Sequence, residues 1–395
     1  MTTIARSNRY HIAIFGRRNA GKSSLVNSIA GQCVSIVSDI PGTTTDAVWK
    51  NIELPGVGAA VIADTAGFDD GGELGAMRVA AARKVLAQVD AAILLLDSVT
   101  NEASLEKEWC AEIERLQLPL FLVAGKCDNE GAAERVAQWQ KEFSGEVIPF
   151  SAVTGEGREV LLERIARQCK QDETLDDITH SLVTPGDVVV LVMPQDTSAP
   201  KGRLIQPQVQ TLRNLLDKHC IPLCCAPEEL PRLLQSLVAP PQLIIIDSQL
   251  FPMVEKLTPP GVKLTSFSVL MARHKGDIDA FCDGAKVLLS LPSTARVLIA
   301  EACSHIPQNE DIGRVKLPRL LRSKLGDGVQ IDIVSGNDFP AELAGYDIVI
   351  HCGACMFNRR TVLSRVRQAK AQGVPITNYG VAIAALTGIM DKIVF

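Results

Sequence analysis

The stretch GRRNAGKSSL, Gly16 to Leu25, decides the reading of the fold. Its first eight residues fit GxxxxGK[ST] and stand between an apolar strand-like run, HIAIFG (11–16), and a helical pattern starting near Lys22. A match in that strand–loop–helix context predicts a phosphate-binding loop. Gly16 and Gly21 let the backbone fold tightly, so that its N–H groups face phosphate oxygens. Lys22 would reach the β- and γ-phosphates, and the Ser23 hydroxyl would bind Mg²⁺.

Companion motifs follow in the order that such a loop requires. DTAG (Asp64 to Gly67) ends the strand AAVIAD (59–64) and places a carboxylate where it can hold the hydration shell of the metal. PGTTTD (41–46) lies between the two motifs, where a switch loop supplies a threonine to Mg²⁺. Spacing favours Thr44, with Thr43 and Thr45 as alternatives. GKCD (Gly125 to Asp128) follows LPLFLVA, and Ser151–Ala152 closes the set. Asp128 can accept hydrogen bonds from the N1–H and the exocyclic amine of guanine, a pair that adenine does not offer. Ser24, Gly67 and Lys126 complete the candidate nucleotide contacts, and Lys22, Thr44, Asp64 and Asp70 are the catalytic candidates. The usual base-reading motif is NKxD, and Gly125 here takes the asparagine position, which is expected to weaken guanine binding without removing its specificity.

Phe68 stands directly after DTAG, an apolar residue where many small GTPases carry a water-orienting glutamine, and Asn19 lies inside the phosphate loop. This combination resembles the tRNA-modification and ribosome-assembly branch of GTPases. The resemblance implies that Asn19 binds K⁺, whose charge takes the part of an arginine finger. The expectation is slow, K⁺-stimulated hydrolysis of GTP. Asp69 or Asp70 could orient the attacking water, beside the plainer reading of both as surface acidity.

With 395 residues the chain is long enough for two or three domains at ~100–200 residues each. Alternating β-rich runs and helical patterns predict an α/β fold: a P-loop GTPase domain (1–172) followed by two further α/β domains, 180–261 and 262–395, with mainly parallel sheets. In the first, strands are expected over 11–16, 59–64, 91–97, 118–126 and 146–152, and QDETLDD (171–177) reads as a linker. The second, with strands in TPGDVVVLVMP, IPLCCA and LIIID, shows no acid, base or metal constellation and reads as a dimer-forming module. The third carries ARVLIAE (295–301), VQIDIVS (329–335), YDIVIHC (346–352) and VPITNY (374–379).

Net charge is −5 and aromatics make up 4%, which argue against nucleic acid as a partner. No apolar run approaches the ~20 residues that cross a bilayer, and no leader pattern opens the chain, so a cytoplasmic protein is expected. The eleven cysteines should then be mostly reduced. Eight have no His or Cys partner at ligand spacing and read as small core fillers. Cys303, with His305 in CSH, and Cys352 and Cys355, with His351 in HCGAC, are the exceptions. They offer three thiolates and two imidazoles, and their strands would bring all three cysteines to the carboxyl edge of one parallel sheet. The CxxC is expected at a helix N-terminus, with Arg359 and Arg360 one turn on. A dithiol would leave Cys303 idle; structural zinc and an iron–sulfur cluster both fit the donors.

The order of GTPase, middle segment and CxH…HCxxC, with PQDTSAPKGRLIQPQVQTLRNLLD and LTSFSVLMARHKGD, resembles the FeFe-hydrogenase maturation GTPases over nearly the whole chain. The resemblance implies a [4Fe–4S] cluster on Cys303, Cys352 and Cys355, with His351 or His305 near an exchangeable fourth position. It further implies a homodimer through the middle segment, and a scaffold that takes a two-iron precursor from radical-SAM maturases to apo-hydrogenase. The rival reading is a translation-related GTPase acting on tRNA or ribosomes with a C-terminal structural zinc, against which the acidic balance and few aromatics count. A nucleotide-switched redox enzyme would need an electron partner that nothing in the sequence indicates.

Overall fold

Tyr10–Gly16 forms β1, and four of its residues, Ile12 to Phe15, are fully buried, as a central strand covered on both faces requires. The computed structural model describes residues 9–30, 47–69, 72–97, 103–173, 177–195, 204–302 and 311–395. Thr44 with its alternatives Thr43 and Thr45, Asp70, Cys303 and His305 lie outside the described residues. The chain divides into two compact units between residues 175 and 176.

In the first unit β1 is followed by α1 (Lys22–Ala30), β2 (Val48–Leu54), β3 (Gly58–Asp64), α2 (Gly72–Leu86), β4 (Ala91–Asp97), α3 (Ser104–Arg115), β5 (Leu120–Gly125), α4 (Ala132–Glu142), β6 (Val147–Pro149) and α5 (Arg158–Glu173). The strands form one sheet in the order β2-β3-β1-β4-β5-β6. All neighbours are parallel except β2, which runs antiparallel to β3 from Val48↔Asp64 to Leu54↔Gly58. Alternate residues of β1 feed opposite layers. Ile12 and Ile14 join Leu25 and Ile29 of α1 and Leu161 and Ile165 of α5, whereas Ala13 and Phe15 join Val85, Trp109 and Trp139 on the other face. Each large apolar side chain so buried contributes about 1.5–3 kcal/mol. Because β3 and β4 flank β1, the order reverses at β1, and the loop after it opens at the crevice where doubly wound sheets bind ligands.

The second unit runs β7 (Val188–Val192), α6 (Gln206–Asp217), β8 (Ile221–Cys225), α7 (Leu230–Ser236), β9 (Leu243–Ile246), α8 (Phe251–Leu257), β10 (Lys263–Ser266), α9 (Phe267–Lys275), α10 (Ile278–Leu288), β11 (Arg296–Glu301), α11 (Leu317–Leu325), β12 (Gln330–Ser335), β13 (Ile348–His351), α12 (Arg359–Ala371), β14 (Ile376–Asn378) and α13 (Tyr379–Leu386). It holds two all-parallel sheets, β10-β9-β7-β8 and β12-β11-β13-β14. One apolar core joins them, running from Val190 and Ile244 to Val297 and Ile350. Helix α13 is buried over most of its length and packs against α9, α10 and α11, as a helix apolar all round must.

The strand Lys263–Ser266 corrects the expected boundary at 261/262. It pairs with β9 in register Lys263↔Leu243 to Ser266↔Ile246, and so completes the second sheet rather than opening the third segment. The expected linker over 171–177 begins instead within α5, which runs to Glu173.

Among the cysteines outside HCGAC, Cys110, Cys169 and Cys220 are buried, and burial pushes the Cys110 thiol up to about 12. That is the behaviour of an inert filler.

Candidate functional site

The phosphate loop connects β1 to α1, and its backbone is shaped for close approach. Gly67 of DTAG lies so near that a Cβ there would stand 2.6 Å from the Arg18 nitrogen, which leaves glycine as the fitting residue. Asn19 is left-handed at φ 58° and exposed, with its side chain at the loop surface. Lys22 is buried and donates to the carbonyls of Gly16 (3.0 Å) and Arg17 (2.7 Å). Burial lowers its pKa, while the carboxylates of Asp64 and Asp69 oppose that shift. The Ser23 hydroxyl donates to Asp64 Oδ2 at 2.7 Å, so the two groups expected around Mg²⁺ already meet. Asp69 Oδ1 accepts the Arg18 N–H at 2.6 Å, which ties the segment after DTAG to the phosphate loop.

Phe68 is buried and stacks on Trp109 of α3, which in turn stacks on Phe15 of β1. Arg17 holds the buried Glu106 of α3 through two N–H···O contacts of 2.6 and 3.1 Å. The apolar residue after DTAG is therefore an anchor onto α3, and the position does not orient water.

The base-reading end is equally built. Ser151 Oγ donates to Asp128 Oδ1 at 2.6 Å and accepts the N–H groups of Val153 and Thr154. The Ser151 hydrogen bond holds the exposed Asp128 carboxyl below the usual carboxylate range, so it stays an acceptor. Ala152 is exposed beside it, and Lys126 donates to Asp97 at 3.1 Å. A Cβ at Gly125 would stand 3.2 Å from the Ala20 carbonyl of the phosphate loop, so the glycine lets the two loops approach with no side chain between them. Gly16, Gly21 and Ser24 occupy the expected loop and helix-start positions.

In the second unit, β11 is flanked by β12 and β13, so the order of that sheet also reverses at β11. The CxH segment follows β11 and the HCGAC segment ends β13. The Cys352 N–H donates to the Ala300 carbonyl at 2.9 Å. Cys352 Sγ accepts the N–H of Ala302 at 3.0 Å and that of Ala354 at 3.4 Å. The described backbone therefore brings Ala302, at the end of the β11 segment, against Cys352 at one sheet edge. Among the described residues, no three His, Cys, Asp or Glu side chains form a metal-sized group.

One expectation is corrected here. Helix α12 starts at Arg359, with Asn358 as its cap accepting the Thr361 N–H at 3.1 Å. Cys352 and Cys355 therefore sit in the loop before the helix, and Cys352 Sγ faces the Ala302 and Ala354 amides rather than a helix N-terminus. His351 is fully buried and both ring nitrogens are engaged. A carbonyl only accepts and a guanidinium only donates, so Nδ1–H donates to the Cys352 carbonyl (2.8 Å) and Nε2 accepts from Arg365 (3.0 Å). Burial, then the Arg365 charge, pushes this imidazole down to about 3. Its lone pair is committed to Arg365, so in this arrangement His351 braces the loop.

Sequence reading missed the rest of that brace. Arg365 lies between the Phe339 and Phe357 rings, at 4.7 and 4.6 Å from their centroids, and also donates to the Gly336 carbonyl. Asn378 Nδ2 donates to the Cys352 carbonyl at 3.1 Å. Buried Lys275 donates to the carbonyls of Ala354 (3.1 Å) and Phe357 (2.9 Å). Burial pushes the Cys352 thiol up to about 11, with the Ala354 and Ala302 N–H groups and the Arg365 charge working against it. A bound cation would remove that proton outright.

Residues 178–276 match the model of the hydrogen maturase F dimerization domain, and residues 279–395 match that of the hydrogen maturase F tetramerization domain. The chain belongs to the hydrogen maturase F family. Its residues 11–126 match the 50S ribosome-binding GTPase model, so this family member opens with a P-loop GTPase domain. Curated relatives include GTPase Der of Thermosynechococcus vestitus, 30% identical over 42% of this chain and 37% of its own length. The tRNA modification GTPase MnmE of Hamiltonella defensa is 37% identical over 39% of this chain and 34% of its own length. The chain thus spans only about a third of those relatives. A variant of Aquifex aeolicus Era bound to GDP and aluminium fluoride has 20% identity over 55% of this chain and 92% of its own, with a TM-score of 0.35. No described helix of the hydrogen maturase F chain is long and apolar enough to cross a membrane.

Proposed function

We propose that this hydrogen maturase F chain is a GTP-hydrolysing scaffold that carries a [4Fe–4S] cluster and delivers a two-iron precursor to apo FeFe-hydrogenase. The observation that supports the reading is the Ala302 N–H on Cys352 Sγ, which brings the end of the β11 segment against the HCGAC loop, one residue before Cys303 in the sequence. Cys303, Cys352 and Cys355 would hold three irons, and the fourth would stay open to an exchangeable ligand, His305 among the candidates. Three soft thiolates with backbone N–H donors on sulfur suit such a cluster. When bound, it supplies a site at which a precursor can be received and released. Radical-SAM maturases and apo-hydrogenase are the partners, and the dimerization domain joins two chains.

In the first unit, Lys22 and the loop amides take the phosphates, and Asp128 reads guanine. Ser23, Asp64 and Thr44 serve Mg²⁺, and Asn19 serves K⁺. The exposed Asn19 at the turn of the loop supports the potassium role. Turnover measured in KCl should exceed that in NaCl by ~10-fold or more, in line with a charge placed on the transferring phosphate, and Asn19→Ala should erase the difference. Equal rates in the two salts contradict the potassium role.

The function itself is tested by maturation in vitro. Protein isolated with its radical-SAM partners should confer hydrogen evolution on apo-hydrogenase, and protein isolated without them should not. Activation by both preparations alike, or by neither, counts against the delivery role.

A further inference from the structure

Lys275 ends α9 and is 4% exposed, a burial that lysine seldom accepts without compensation. Its ammonium donates to two carbonyls of the cysteine loop, those of Ala354 and Phe357. The same two residues are joined by the Phe357 N–H on the Ala354 carbonyl at 3.1 Å. Ala354 is left-handed, at φ 51°, a conformation that costs an alanine about 1–2 kcal/mol. That geometry turns its N–H towards Cys352 Sγ and its carbonyl towards Lys275. A left-handed residue that aims N–H groups at a common point is the arrangement found in anion-binding backbone nests.

We infer that Lys275 is a positioning residue for the cluster: its buried ammonium holds the HCGAC loop in the conformation that aims the Ala354 amide at the Cys352 sulfur, and its charge favours the reduced cluster. The inference rests on the cluster reading above and goes beyond it, since it concerns what sets the redox poise of the site. Three thiolates around a cluster make an anionic centre, and one electron added to it makes that centre more negative. A fixed cation buried a few bonds away stabilises the more negative form, because low dielectric strengthens the interaction. Arg365 flanks the loop from α12 and reaches Cys352 through His351. Lys275, which grips the loop directly, is the residue whose change isolates the effect.

The test uses full-length protein reconstituted anaerobically with ferrous iron and sulfide, titrated with dithionite and followed by electron paramagnetic resonance. Lys275→Met should move the midpoint potential to more negative values and release iron to a chelator several-fold faster. Lys275→Gln keeps a donor for the loop but no charge, so its potential should move in the same direction with slower iron loss than the Met variant. Lys275→Arg should restore the potential. GTP turnover should be the same in all four proteins and serves, with circular dichroism, as the check of folding. If Met does not fold, Gln against Arg decides the charge effect. A wild-type cluster with potentials unmoved in Met and Gln overturns the inference alone. Wild-type protein that takes up no iron overturns the cluster reading and this inference with it.

Discussion

Replacing Cys352 by serine should leave GTP turnover at the wild-type rate and remove most of the iron from the chain. The residue is the junction of the site: its amide bonds to Ala300, its sulfur accepts from Ala302 and Ala354, and its carbonyl accepts from His351 and Asn378. Changing a residue that merely supports a metal ligand commonly costs ~10–100-fold in metal affinity, and loss of a thiolate should exceed that. Serine keeps an acceptor for the two amides, so the fold should survive. Alanine would leave them without that partner, at about 1–3 kcal/mol for each one that water does not reach. The expected order of thermal midpoints is therefore wild type, Ser, then Ala. Iron retained at the wild-type level in Cys352→Ser would remove Cys352 from the ligand set.

Asp128→Asn should exchange the preferred base. The carboxylate is fixed by Ser151 and offers acceptors to the two guanine donors. An amide offers one acceptor and one donor, which suits xanthine, whose C2 carries a carbonyl where guanine carries an amine. Hydrogen bonds to a charged group contribute about 1.5–3 kcal/mol, so GTP affinity should fall by roughly 10–100-fold. Competition of GDP and XDP for the variant measures this directly. Unchanged affinity for both would show that the base is read elsewhere.

The first unit was legible because strand, loop and switch motifs constrain one another. Gly16 ends β1, Lys22 opens α1 and Asp64 ends β3, as the strand–loop–helix spacing requires. Strand β2 escaped because VWKNIEL alternates as an antiparallel edge strand and lacks the continuous apolar run of its neighbours. In the second unit the strand that leads into HCGAC was readable from YDIVIHC, whose Ile348–His351 forms β13. The supports were not. Lys275 lies in ARHKGD and Arg365 among other arginines, and nothing local distinguishes a buried cation from a solvated one. The bracing role of His351 was not readable from its cysteine neighbour. Its ring is committed to Arg365, fourteen residues on and one helix away, a contact that sequence spacing does not show. The strand Lys263–Ser266 was assigned forward because the proline turn before it looked like a boundary, and pairing with β9 overrode that signal.

Metal analysis of the wild-type chain purified without oxygen tests the central claim most directly. Brown protein holding about four irons and matching sulfide per chain, with iron lost on Cys303→Ala as well as on Cys352→Ser, is the predicted result. Colourless protein with one tightly held zinc would contradict it.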